Sequence, residues 1–93
     1  MRIGINMMLW TGAVERADVP HLTELRRLGY DAVEIPLLND EALRRSAWLA
    51  PVLDELGLDR STSTAMPPGA SLLREAEVEQ GMRWLRACID ATA

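Results

Sequence analysis

Short apolar runs alternate along the chain with stripes at helical spacing, and the alternation predicts three successive strand-helix units. The first run, Arg2 to Met8 (RIGINMM), is bounded by the turn residues Thr11 and Gly12 and reads as a buried strand whose core includes Met7 and Met8. Asp18 then stands as a helix N-cap, with Pro20 in the first turn, where its missing N–H costs nothing. Val19, Leu22, Leu25 and Leu28 supply the apolar stripe, and Gly29 supplies a left-handed stop. The second run, Ala32 to Ile35, halts at Pro36, which cannot donate to a sheet ladder. A second helix is predicted from Glu41, with Asn39 and Asp40 as candidate caps and Leu43, Ala47, Leu49, Val52, Leu53 and Leu56 facing inward. Pro51 predicts a kink or restart near Ala50, and Gly57 closes the segment. Leu58 to Thr64 takes the place of a third strand, although Arg60 is awkward on a strand buried on both faces and Ser61 and Ser63 have low strand propensity. The last helix is predicted from Ser71 to the C-terminus, with Val78, Met82, Leu85 and Ile89 as its stripe and Trp48 and Trp84 as bulky packing groups.

Two stretches repeat, Leu28-Gly29-Tyr30-Asp31 and Leu56-Gly57-Leu58-Asp59. A recurring helix end, glycine and strand start indicates stacked βα units, whose strands pair in parallel through right-handed crossovers. Closed barrels of such units run to about 250 residues. The pattern therefore predicts that residues 1–93 form one partial domain, the N-terminal βαβαβα part of a (β/α)8 TIM barrel with outer helices, stopped before its fourth strand. A complete small α/β domain is the alternative. A three-stranded parallel sheet has two open edges, which invite self-association.

Composition narrows the function classes. Hydrophobic residues make up 48% of the chain, enough for a small core but too little to exclude help from a partner. Cys88 stands alone, so no internal disulfide is available, and no Cys/His cluster has zinc spacing. The N-terminus lacks a basic segment followed by an apolar stretch of about 7 to 15 residues, which predicts a cytoplasmic setting. Fourteen acidic against ten basic side chains give a net charge of −4, which disfavours nucleic acid and anionic membrane as partners.

Four segments carry a resemblance to a known family. Ile3-Gly4-Ile5-Asn6 with Leu9-Trp10, Leu28 through Leu37 (LGYDAVEIPL), Ser63 through Gly69 (STAMPPG), and Gly81 with Trp84 through Asp90 (WLRACID) resemble the sugar phosphate isomerase/epimerase family, in order and spacing, across essentially the whole chain. The resemblance implies a xylose-isomerase-like barrel and the chemistry of ketose 3-epimerases, such as those acting on psicose and tagatose. In that chemistry a divalent cation (manganese, magnesium or cobalt) binds two substrate oxygens. Two glutamates then remove and return a proton beside the ketose carbonyl. A hard cation stabilises the developing oxyanion, and carboxylates on opposite faces give inversion. The family takes its metal ligands from later strands, so the resemblance implies no metal bound by this chain, no catalytic residue within it, and a catalytically silent isolated polypeptide.

What the chain would contribute is a pocket wall, because barrel ligands bind at the C-terminal ends of the strands. Asn6, after the first strand, could hydrogen-bond a sugar hydroxyl or satisfy a loop backbone group. Trp10 is similar to the family's tryptophan in the first loop, where an aromatic face packs on sugar C–H groups; the alternative is plain core. Glu34 lies among apolar residues and is either a polar group lining the pocket or half of an ion pair with Arg2 or Arg60. Ser63 matches a small residue that touches substrate in some epimerases, or it is a hydroxyl bonded to backbone. His21 reads as solvated helix surface and Cys88 as a buried thiol, while Glu75, Glu77 and Glu79 scatter around a helix instead of gathering on a metal.

Three functional readings follow. The first is part of a metal-dependent sugar isomerase or epimerase acting on a small ketose. The second is a non-catalytic α/β module assembling through its sheet edges. The third is an apurinic endonuclease-like barrel, disfavoured by the acidic balance. No glycine-rich phosphate cradle is present in these loops.

Overall fold

The computed structural model describes residues 1–93, and its three strands form one parallel sheet in the order β1 (Gly4–Asn6), β2 (Ala32–Pro36), β3 (Asp59–Ser63). Three helices follow them in turn: α1 (Val19–Arg27), α2 (Asp40–Leu56) and α3 (Val78–Thr92). The repeated Leu-Gly step explains why the units stack alike. At the end of α1 the Gly29 N–H bonds the Arg26 carbonyl and the Tyr30 N–H bonds Leu25; at the end of α2 Gly57 bonds Asp54 and Leu58 bonds Leu53. This is the same Schellman closure twice, and it needs positive φ, which Gly29 (101°) and Gly57 (72°) supply without a Cβ penalty. Each closure turns the chain directly into the next strand.

Sheet register decides which side chains meet the helices. Gly4, Ile5 and Asn6 pair with Ala32, Val33 and Glu34, and Val33, Glu34 and Ile35 pair with Arg60, Ser61 and Thr62. Ile5, Val33, Ile35 and Thr62 therefore share the helix-covered face, and Val33 (1% exposed) and Ile35 (4%) sit in the core with Leu22, Leu25, Leu49 and Leu53. Asn6, Glu34 and Ser61 share the opposite face, which no helix covers. Only 16 of 93 residues are buried, so one core leucine at about 2 to 3 kcal/mol is a large share of the stability. The radius of gyration, 14.2 Å, exceeds the roughly 12 Å expected of a closed domain of this length, as suits an open wedge.

Several expectations need correction. The first strand is shorter than Arg2 to Met8 because the Asn6 side chain accepts the Met8 N–H and starts a 3-10 turn at Met7–Leu9, which buries Met7 and exposes Met8. Asp18 stands at the N-cap position of α1, but its side chain makes no cap there; it ends a preceding 3-10 turn, Arg16–Asp18, and its carboxylate accepts the Glu15 N–H at 2.8 Å. Leu28 lies past the end of α1 and is 60% exposed. The second helix runs through Pro51 without a break, capped by Asn39, which accepts the Ala42 N–H at 2.9 Å; Ala42 is buried on it and Ala47 is exposed. Its restart near Ala50 does not occur.

The last helix begins at Val78 and not at Ser71. Ser71 instead closes a local turn, accepting the Leu73 N–H on its hydroxyl and donating its own N–H to Glu77, so residues 71–74 stay non-helical and a 3-10 turn (Glu75–Glu77) leads into α3. The buried stripe of α3 is Gly81, Trp84 and Cys88, one position off the predicted one, and Met82 and Ile89 are exposed. Gly81 explains the rotation. A Cβ there would lie 2.5 Å from the Ala70 carbonyl oxygen and 2.8 Å from Leu72, so α3 turns its one side-chain-free position against the loop that precedes it.

Candidate functional site

The parallel strands end together, and the face opposite the helices is polar at that end. One row across the sheet carries Asn6, Glu34 and Ser61; Pro36 and Ser63 lie level with each other two residues further on. Gly4 and Ala32 stand side by side below, small enough for the Arg2 side chain of the β1 segment to reach across to Asp59 on β3 as an ion pair. The result is a shallow polar wall with a single carboxylate in its middle row.

The candidate residues divide on this geometry. Glu34 is half-buried and its two suggested partners are engaged elsewhere: Arg2 pairs with Asp59, and Arg60 pairs with Asp54 at 2.9 Å. Asn6 accepts the Met8 N–H on its side-chain oxygen at 2.8 Å, which leaves its amide N–H groups available as donors. Ser63 brings a hydroxyl whose oxygen is buried and has no hydrogen-bond partner. An unpaired buried hydroxyl costs about 1 to 3 kcal/mol. Trp10 ends the 3-10 turn after β1 and is 49% exposed; its ring stacks on His21 of α1, with centroids 6.4 Å apart and planes within 11°.

Neighbouring residues hold the wall in place. Arg60 points to the helix side, where its guanidinium donates to the Thr92 carbonyl (3.1 Å) and the Ala93 carbonyl (2.8 Å) as well as to Asp54, tying β3 to both α2 and α3. Those acceptors remove the difficulty of a charge on the helix-covered face of the strand, since the guanidinium is both paired and hydrogen-bonded there. Thr64 donates to the Leu37 carbonyl at 2.6 Å and accepts the Trp84 indole N–H at 2.8 Å, locking the ends of β2 and β3 to α3. Burial pushes the Cys88 thiol up, offset in part by its contact with Thr64, so it remains a core group. No three His, Cys, Asp or Glu side chains of this chain converge as a metal site.

Sequence reasoning missed Ser61, Thr64 and the stacking role of His21. Ser61 has a signal, in the hydrogen-bonded register. The repeat aligns Asp31 with Asp59 and would set Thr62 level with Glu34, whereas the strands pair Ala32 with Asp59 and set Ser61 there. A one-residue shift exchanges the two faces. Thr64 and His21 have no local signal, because their partners lie on other elements.

No family model matches the sequence, and no curated protein does either. Among solved structures, that of an L-ribulose 3-epimerase superposes with a TM-score of 0.71 at 24% sequence identity, over 98% of this chain and 31% of that chain. The fold is that of a partial (β/α)8 barrel. Nearly all of this chain takes part in the match, so the three units are arranged as in a barrel. The open face is then a segment of barrel interior, and the strand ends carrying Asn6, Pro36 and Ser63 form one arc of a barrel mouth. This chain spans less than a third of the length of the barrel it matches. No helix is long and apolar enough to cross a membrane.

Proposed function

We propose that this chain supplies one wall of the pocket in a sugar isomerase or epimerase barrel that acts on a small ketose. The observation that carries the reading is the polar row at the strand ends, where Glu34 is half-buried with neither Arg2 nor Arg60 as its partner and the Ser63 hydroxyl beside it on the same face has no hydrogen-bond partner. A polar group left unpaired at a barrel mouth is explained when a ligand hydroxyl pairs with it. The similarity to an L-ribulose 3-epimerase supports a polyol as that ligand. In this reading Asn6 and Ser63 bind hydroxyls, Glu34 accepts one or orients its neighbours, and Trp10 packs on the C–H surface. A divalent cation would be held by residues outside this chain and would stabilise the oxyanion formed beside the carbonyl. The chain alone then turns over no ketose, and its setting is cytoplasmic.

Grafting residues 1–93 in place of the matching part of an L-ribulose 3-epimerase tests the proposal. Manganese-dependent epimerisation by the graft, lost on Ser63→Val and weakened on Glu34→Gln, is the expected result. A folded graft that binds no ketose sinks it.

A second reading rests on the unpaired outer edges of β1 and β3 together with the exposed Ile3 and Ile89 near them. Such edges pair with a further strand, in this chain or another, and favour self-association of the isolated polypeptide. Light scattering across a concentration series separates the two cases: a monomer that melts cooperatively argues against it.

A further inference from the structure

We propose that His21 is a positioning residue that holds the Trp10 indole at the barrel mouth; the inference rests on the sugar-pocket reading above. The loop joining β1 to α1 is fixed at several points. Thr11 and Ala13 exchange hydrogen bonds (2.7 and 3.1 Å), Val14 is 3% exposed, the Glu15 carboxylate meets Arg45 at 3.0 Å, and the Arg16 guanidinium lies 4.7 Å from the centre of the Trp48 ring. These contacts fix the backbone around Trp10 and do not involve its indole. The Trp10 N–H bonds the Met7 carbonyl at 3.0 Å, which again concerns the main chain. The contact that fixes the ring is the parallel stack on His21.

His21 is suited to that task. It stands in the first turn of α1, beside Pro20, whose ring stiffens the turn, and next to Leu22, which is fully buried. The imidazole thus rides on an anchored helix start, and in a barrel the helix starts lie at the same end as the strand ends. Parallel aromatic rings at this separation attract in an offset arrangement. His21 lies parallel to the indole in an offset arrangement that covers part of it, and about half of the Trp10 surface stays open for a sugar. An aromatic group already held in place spares the ligand the cost of ordering it, and losing that advantage weakens binding by roughly three- to tenfold.

The test uses the 93-residue chain labelled with 5-fluorotryptophan and read by 19F NMR, with the Trp10 line identified from Trp10→Phe. His21→Ala is expected to narrow the Trp10 line and move it toward the position of free indole, while the lines of Trp48 and Trp84 stay in place and show that the fold is intact. His21→Phe is expected to restore the Trp10 line. A Trp10 line indifferent to His21→Ala overturns the proposal. In the grafted epimerase, His21→Ala should raise KM roughly three- to tenfold at little cost in kcat, with His21→Phe recovering it. A graft that fails with the native segment, while the fluorine line still depends on His21, overturns the sugar reading and leaves the positioning of Trp10 supported.

Discussion

Arg60 on β3 donates its Nε–H to the Thr92 carbonyl of α3 at 3.1 Å, and the same guanidinium reaches Asp54 of α2 at 2.9 Å. One side chain, 16% exposed, thereby joins three elements and neutralises the carbonyl end of a helix. Arg60→Met keeps the stem but removes the donors, and it should lower stability by about 1.5 to 3 kcal/mol, as expected for charge-assisted bonds. Arg60→Lys should recover only part, because an ammonium cannot span the fork. Urea melts followed by far-ultraviolet circular dichroism check the order native, Lys, Met; equal midpoints for all three would refute it.

Gly81 should resist the usual helix-stabilising substitution. Alanine in a helix interior is ordinarily favoured over glycine by about 1 kcal/mol. At this position the new methyl would meet the Ala70 carbonyl oxygen at 2.5 Å, and backbone cannot swing aside as a side-chain tip can. Gly81→Ala should therefore destabilise by about 1 to 3 kcal/mol of overpacking strain. Gln80→Ala, on the exposed side of the same turn, is the control and should be neutral. Thermal melts of the pair decide, and a stabilised Gly81→Ala would show that the loop at Ala70 yields.

Much of this architecture was legible from local pattern. The Gly29 and Gly57 closures, the Asn39 cap and the apolar runs of β2 belong to single elements, and each asks for one conformation. The misreadings arise where a long-range contact overrides local preference. Val78, Met82, Leu85 and Ile89 form a good apolar stripe, yet the fit of Gly81 to Ala70 turns α3 by one position. Arg60 reads as awkward on a buried strand until the helix ends that it pairs with are in place. Of the candidate site, Asn6 and Ser63 were readable as polar groups near strand ends and Glu34 as a carboxylate among the apolar residues of a strand. That Asn6 and Glu34 share a row, and that Ser63 lacks a partner, required the register.

Asp31 should set part of the acid limit of folding. Its carboxyl is held below the usual carboxylate range chiefly by the Ile3 N–H, which it accepts at 3.0 Å; desolvation opposes this, and Arg26 and then Arg2 add smaller lowering effects. A depressed folded value means that the contribution is fully present above the unfolded value of about 3.9 and fades as the pH falls through the folded one. The contribution of Asp31 should therefore fade gradually as the pH falls below about 4. Asp31→Asn should be less stable at neutral pH and show a flatter acid limb. Urea midpoints at several acid pH values check this, and parallel limbs for the two proteins would contradict it.

Ser63 offers a trade between stability and binding. Its hydroxyl oxygen is buried without a partner, so the folded chain bears the desolvation of a polar group for no internal return. Ser63→Ala removes that oxygen at little cost in packing and should raise stability by about 0.5 to 2 kcal/mol, whereas a hydroxyl bonded to backbone would lose about 1 kcal/mol on the same change. The sign of the shift therefore distinguishes a site group from a structural one. In the epimerase graft the same substitution should weaken ketose binding by roughly tenfold, the effect of one lost hydrogen bond. A more stable variant that binds less well is what a residue reserved for a ligand produces, since residues that serve a site are commonly not those that serve the fold. A less stable variant with unchanged binding would assign Ser63 to the scaffold and move the candidate site toward Asn6 and Glu34.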